Sequence, residues 1–185
     1  MNLPNILTLF RIGLLPVYIG IFYLPFSWAH LTAAAFFTLA CITDMLDGYL
    51  ARTWDQTSRF GAFMDPVADK LLVAVTLVLL VSEHDIPYIA IPAVIIVGRE
   101  IVISALREWM AEMGARASIA VTFIAKFKTA IQMFALGFLI AFRPADSWLG
   151  VIGLILLYLS AVLTIWSMFV YLKIAWPDLI KENDE

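Results

Sequence analysis

Six long apolar runs separated by short polar breaks organise the chain. They extend roughly from Thr8 to Leu24, Leu31 to Trp54, Arg59 to Val81, Pro87 to Met110, Ile119 to Phe142 and Leu149 to Leu172. At about 1.5 Å per residue each run is long enough to cross a hydrocarbon core of about 30 Å as a helix. Pro4 stands near the first start, and "YLPFSW", "SEHDIP" and "RPADSW" supply breaks with turn chemistry. Trp28, Trp54, Trp109, Trp148 and Trp176 fall near predicted helix ends, as an aromatic belt would, and Trp166 alone falls well inside a run.

Composition agrees with this pattern. Of the 185 residues 63% are hydrophobic and 15% charged, well outside the range of ordinary globular domains. A net charge of -3 does not suit a nucleic-acid partner. One cysteine, Cys41, excludes an internal disulfide framework and a cysteine-rich metal site. The start "MNLPNILTLFRIGLL" lacks a basic n-region and a small-residue cleavage site, so it is expected to be retained. No linker, repeat or low-complexity segment divides residues 1–185, which are expected to form one domain. The expected fold is an all-α integral membrane protein with six transmembrane helices.

The basic residues orient the spans. Of the 12 Lys and Arg, only Arg143 falls on the side opposite the termini. The positive-inside rule therefore makes both termini cytoplasmic and turns Glu83, His84 and Asp85 outward. The second span then descends to the cytoplasm and the third climbs back, forming a hairpin that turns near Asp55, with the middle of the segment between Arg52 and Gly61 near Gln56.

That hairpin, "TDMLDGYLARTWDQTSRFGAFMDPVADK", holds Asp44, Asp47, Asp65 and Asp69. Counted outward from Gln56, Asp47 and Asp65 lie nine residues away and Asp44 and Asp69 twelve or thirteen. In antiparallel helices the acids form two facing levels about 6 Å apart. Each pair, at i,i+3 or i,i+4, also shares a helix face. Cys41, Gly48, Ala51 and Gly61 are small neighbours that let backbones approach.

Four carboxylates at membrane depth cannot all stay ionised without compensation. Oxygen ligands without His or Cys suit Mg²⁺, Mn²⁺ or Ca²⁺ better than zinc, and two divalent ions would balance the acids. Paired ions are common apparatus for phosphoryl chemistry, whereas a proton or cation pathway is the alternative reading of the same cluster.

The spacing Asp44-x2-Asp47-Gly48-x2-Ala51-Arg52-x8-Gly61-x3-Asp65-x3-Asp69 has eight set positions. A chance match is on the order of 10⁻¹⁰ per starting point. The pattern resembles the motif of the CDP-alcohol phosphotransferase family, membrane enzymes that move a substituted phosphate from a CDP-linked donor to an alcohol. "NILTLFRI", "FGAFMDPVADKLL", "GREIVISALREWMAEMG" and "AKFKTAIQM" extend the likeness towards its bacterial members that use glycerol 3-phosphate. Ala125, where glycine is expected before the lysine, is a departure of local packing only.

The resemblance implies transfer of a phosphatidyl group from CDP-diacylglycerol to sn-glycerol 3-phosphate with release of CMP. It implies an active site in the second and third helices at the cytoplasmic face of a bacterial inner membrane. Asp44, Asp47, Asp65 and Asp69 would hold two divalent cations, Mg²⁺ or Mn²⁺. Asp69 would also be the general base. Gly48, Ala51, Arg52 and Gly61 would serve the CDP-diacylglycerol site, although Arg52 can equally satisfy a helix end or a lipid phosphate, and Gly61 suits close packing. A homodimer is a further implication. Same-family enzymes with another acceptor such as inositol phosphate, intramembrane prenyltransferases and cation transporters are the competing readings.

Arg107, Lys126 and Lys128 are the candidates for the acceptor phosphate. Lys126 lies about 10 Å into its helix, near the aspartate level, and a lysine there needs a partner. About 200° of helical rotation separates it from Lys128, so one pocket is not expected to take both. Arg107 also suits a surface cation by the headgroups, and Arg99 beside Glu100 suits a buried ion pair as well as a substrate. Lys70 either neutralises Asp65 or Asp69 or snorkels. Cys41 is read as packing, and His30 and His84 as solvated outer loops.

Overall fold

A computed structural model describes residues 3–53, 59–83, 86, 88–112, 123–142 and 147–180. Within these, the side chains at 3–5, 45, 47–52, 59, 62, 65, 111–112, 123–126, 174–175 and 177–180 fall outside the description. The described residues form six helices and no strand: α1 (Leu3–Phe22), α2 (Ala29–Thr53), α3 (Arg59–Ser82), α4 (Ala90–Glu112), α5 (Phe123–Ala141) and α6 (Trp148–Ile180).

The boundaries of α2, α3 and α4 fall within three residues of the expected ones, whereas α1 begins at Leu3 rather than Thr8 and α6 continues from Leu172 to Ile180. The expected end marks where apolar character fades, and loss of apolar character does not stop a helix. Pro4 stands in the first turn of α1, where its missing N–H costs nothing. Pro16 and Pro66 lie inside α1 and α3, and both helices run through them.

The helices pack around one extended core. Tyr18 and Phe22 of α1, Phe37 of α2, Leu77 and Leu80 of α3, Ile96 of α4, Leu136 and Leu139 of α5 and Leu157 of α6 are all buried within it. The most extensive seam joins α5 to α6, where Gly153 lets the backbones approach: a Cβ there would stand 3.0 Å from Leu139 Cγ and 3.2 Å from Leu139 N. A smaller cluster of Ile103, Leu106 and Met110 of α4 with Tyr171 of α6 closes one end.

The hairpin of α2 and α3 is open. These two helices make the slightest contact of the packed pairs among the described residues, while α1 packs firmly on both. Arg11 of α1 reaches Asp44 on the acidic face of α2.

The surface is apolar where that of a water-soluble bundle is polar, and the apolar interior also encloses charged and polar side chains. Val94, Phe134, Phe63, Val78 and Ile101 are exposed, whereas Arg11, Arg99, Lys128 and Gln132 are buried. One helix, over Trp148–Lys173 with mean hydropathy 2.3, is long and apolar enough by itself to cross a membrane. Ile6–Phe22, Ala29–Asp44 and Phe127–Ala141 are shorter apolar stretches. Asp69 and Lys70 in α3, and Arg99 and Glu100 in α4, interrupt the apolar character of those helices midway.

Polar and ring contacts hold the turns at the end of the bundle where α1 stops and α2 begins. Tyr88 has φ of 60°, unusual for a residue with a side chain, and its carbonyl accepts a 3.0 Å hydrogen bond from the Tyr158 hydroxyl. His30 stands in the first turn of α2, half-buried with its ring edge-on to Phe22, rather than in a solvated loop. His84 lies outside the described residues.

Candidate functional site

All six helices contribute to a cavity of about 1250 Å³. Its polar part is lined by Arg11, Asp44, Asp69, Lys70, Arg99, Glu100, Arg107, Lys128 and Tyr171. By register these residues lie from mid-helix towards the end of the bundle where α2 stops and α3 and α5 begin. The rest is an apolar trough between α2 and α5. Ala34, Phe37, Thr38, Cys41 and Ile42 recur with helical spacing on one wall, and Met133, Phe134, Gly137, Phe138, Ala141 and Phe142 on the other. From Lys128 to Phe142 the α5 wall climbs about 21 Å at 1.5 Å per residue, roughly the reach of an acyl chain.

On the acidic side Asp44 and Asp69 are both half-buried and both line the cavity. Arg11 pairs with Asp44 and is itself 3% exposed. Cys41 sits between this site and the trough, its thiol 3.7 Å from the Met133 sulfur, a packing contact. Lys70 donates to the Ser104 hydroxyl of α4, which gives it a partner other than the aspartates.

On the basic side Glu100 organises the cations. Arg99 donates to it at 2.5 Å, and Lys128 Nζ lies 3.9 Å from the same carboxylate oxygen. The ion pair considered for Arg99 is therefore present, with Arg99 buried and Glu100 half-buried, yet Arg99 also lines the cavity and stacks on Tyr171. Lys128 is buried at 3%, while Arg107 is exposed towards the mouth. Among the described lining residues five cations (Arg11, Lys70, Arg99, Arg107, Lys128) face three carboxylates (Asp44, Asp69, Glu100). Such a surplus attracts anions.

A second cavity of about 600 Å³ lies between α3, α4 and α5 and shares Asp69, Lys70, Glu100 and Lys128 with the first. Glu108 adds an acid there, so its described charges carry no cationic surplus.

The structure thus brings together Asp44, Asp69, Arg107 and Lys128 from the expected site. Gly61 is buried in the first turn of α3, outside the cavity lining, and suits the packing role. Asp47, Gly48, Ala51 and Arg52 are carried by α2, Asp65 by α3 and Lys126 by α5, and their side chains lie outside the described residues. No group of three or more metal-ligating side chains occurs among the described residues. Asp44 and Asp69 nevertheless offer hard carboxylate oxygens to one shared space, the donor chemistry that suits Mg²⁺ or Mn²⁺.

Sequence reasoning passed over Arg11 and Tyr171 and gave Glu100 no role beyond a pair with Arg99. Arg11 had a usable signal, a cation well inside an apolar span, which marks a functional interior more often than a surface. Tyr171 had none, because its site is created by packing of α6 on α4.

Comparisons with known proteins bear on the same residues. A family model described as CDP-alcohol phosphatidyltransferase matches residues 1–166. A relative from Pectobacterium atrosepticum is 54% identical over 180 residues, covering 97% of this chain and 98% of its own. Relatives from Salmonella typhimurium and Shigella flexneri are 50% and 49% identical over 181 residues, covering 98% of both chains in each case. All three carry the name "CDP-diacylglycerol--glycerol-3-phosphate 3-phosphatidyltransferase".

Proposed function

Because the chain belongs to the CDP-alcohol phosphatidyltransferase family, we propose that it transfers the phosphatidyl group of CDP-diacylglycerol to sn-glycerol 3-phosphate, giving phosphatidylglycerophosphate and CMP. The observation that carries this reading is one cavity joining an acidic pair, a cluster of cations and an apolar trough. A lipid donor needs the trough and a dianionic acceptor needs the cations.

In this reading the donor lies with its acyl chains along the α2–α5 trough and its diphosphate beside Asp44 and Asp69. Asp47 and Asp65, placed by sequence one turn nearer the hairpin on the same two helices, complete the ligand set for two divalent cations. Bound there, Mg²⁺ or Mn²⁺ would withdraw charge from the diphosphate. Gly48 and Ala51 leave room for the nucleotide and Arg52 pairs with its diphosphate. Arg107, Lys126 and Lys128 receive the acceptor phosphate.

Asp69 takes the proton of the acceptor 1-hydroxyl as its oxygen bonds to the phosphatidyl phosphorus. The bond from that phosphorus to the bridging oxygen breaks, and the oxygen leaves with CMP. The carboxylates are ligands, and none serves as nucleophile. The attack is therefore direct and in line, and a chiral donor phosphorus inverts.

The surrounding arrangement follows from the same reading. The exposed apolar belt around buried charges supports six spans in a bacterial inner membrane, with both termini and the polar cavity mouth cytoplasmic. Residues 1–185 act as one domain. A homodimer rests on the family likeness.

The test is CMP release by purified protein with a panel of acceptors. Release should require glycerol 3-phosphate and stop when EDTA removes divalent cations, returning with Mg²⁺. Equal release with inositol phosphate would reassign the acceptor, and cation flux without CMP release would overturn the enzyme reading.

A further inference from the structure

Two guanidinium groups rest over one aromatic ring at the edge of the cavity. Arg99 Cζ lies 5.7 Å and Arg107 Cζ 5.8 Å from the centroid of Tyr171. The two arginines are eight residues apart on α4, so their backbones are separated by about 12 Å along the helix. Their side chains both reach the single ring that α6 presents.

Convergence of like charges requires compensation. Arg99 obtains part of it from Glu100, at 2.5 Å, and its Nε has no hydrogen-bond partner among the described residues. Arg107 is exposed towards the mouth, where side-chain entropy would ordinarily scatter it. Tyr171 is 3% exposed and held by Ile103, Leu106 and Met110, so its face is a rigid platform. Its quadrupole attracts both cations without consuming their N–H donors. All three residues line the cavity that also contains Asp69 and Lys128.

We propose that Tyr171 is a positioning residue for the acceptor, its ring holding Arg99 and Arg107 as a paired guanidinium clamp for the phosphate of a small phosphorylated alcohol. The proposal rests on the phosphatidyl-transfer reading above and adds Arg99 and Tyr171 to its acceptor site. Guanidinium forks match phosphate oxygens in a bidentate way that a lysine point charge does not. The clamp grips the phosphate and leaves the reacting hydroxyl free. It binds ground and transition states alike and acts on KM more than on kcat.

Graded fluorination of the ring tests this without changing its size. Phe, 4-fluorophenylalanine and 3,4,5-trifluorophenylalanine are placed at position 171, and steady-state CMP release is measured for both substrates. The expected result is near-parent behaviour for Tyr171→Phe, then a stepwise rise in the KM for glycerol 3-phosphate to roughly tenfold. The KM for CDP-diacylglycerol and the thermal midpoint should stay level through the series. A glycerol 3-phosphate KM that ignores fluorination, or two KM values that rise together, overturns the clamp while leaving the enzyme reading intact. A parent protein that releases no CMP with glycerol 3-phosphate overturns both.

Discussion

Arg11 of α1 is ion-paired with Asp44 of α2, and the arginine is 3% exposed while the aspartate is 38% exposed. A buried cation thereby faces a carboxylate that opens into the cavity. The first helix is part of the charge balance of the site as well as a packing partner for α2 and α3.

Replacing Arg11 with Met should therefore cost stability in a cation-dependent way. Without divalent ions the loss is expected at roughly 1–3 kcal/mol, less than for a fully buried pair because Asp44 is partly solvated. Saturating Mg²⁺ should return much of it by taking over the charge compensation. Thermal unfolding in detergent with EDTA and with Mg²⁺ measures the difference, and equal losses in both would show that Arg11 acts through packing alone.

Asp69→Asn keeps the size of the side chain and removes its basicity. CMP release should fall by roughly a hundred- to ten-thousandfold, with part of the CDP-diacylglycerol binding retained. A variant that loses its fold along with its activity would return the aspartates to a structural role.

Lys128 is buried beside Glu100, whereas Lys126 is separated from it by about 200° of helical rotation. Lys128→Met should raise the KM for glycerol 3-phosphate by about tenfold or more, as loss of a charge-assisted contact would, and leave the lipid KM within about twofold. The same change at Lys126 separates the two lysines. A larger effect there would assign the phosphate to Lys126.

Two glycines give opposite expectations. Gly137 faces the trough with nothing within 4 Å of an added Cβ, so Gly137→Leu should fold well and narrow the trough. The KM for long-chain CDP-diacylglycerol should rise several-fold while the dioctanoyl donor is little affected. Gly153 is in the α5–α6 seam, where an added Cβ stands 3.0 Å from Phe138 Cβ and Leu139 Cγ. Gly153→Ala should lower stability by about 1–3 kcal/mol, read as a fall in thermal midpoint without a change in either KM.

Much of the architecture was legible in the chain because its information is local. Apolar runs of membrane length and polar breaks specify six helices, and the described ends of α2 and α3 fall within two residues of the expected ones. The aspartate spacing is equally local: i,i+3 and i,i+4 separations put acids on one helix face wherever that helix is packed. Asp44 and Asp69 accordingly meet in one cavity.

What packs against those faces is not local, and there the tertiary structure decided. Asp44 gains its partner only because α1 lies against α2 and brings Arg11 to it. Lys128 gains its place only because α5 lies against α4, which brings Glu100 to 3.9 Å. Tyr171 is one aromatic residue among many in α6 until packing on α4 sets it under two arginines. By itself the sequence determined the helices, the acidic face and the family's motif. The cationic side of the cavity exists only when helices distant in the chain are neighbours in space, since a charge is stabilised by what surrounds it.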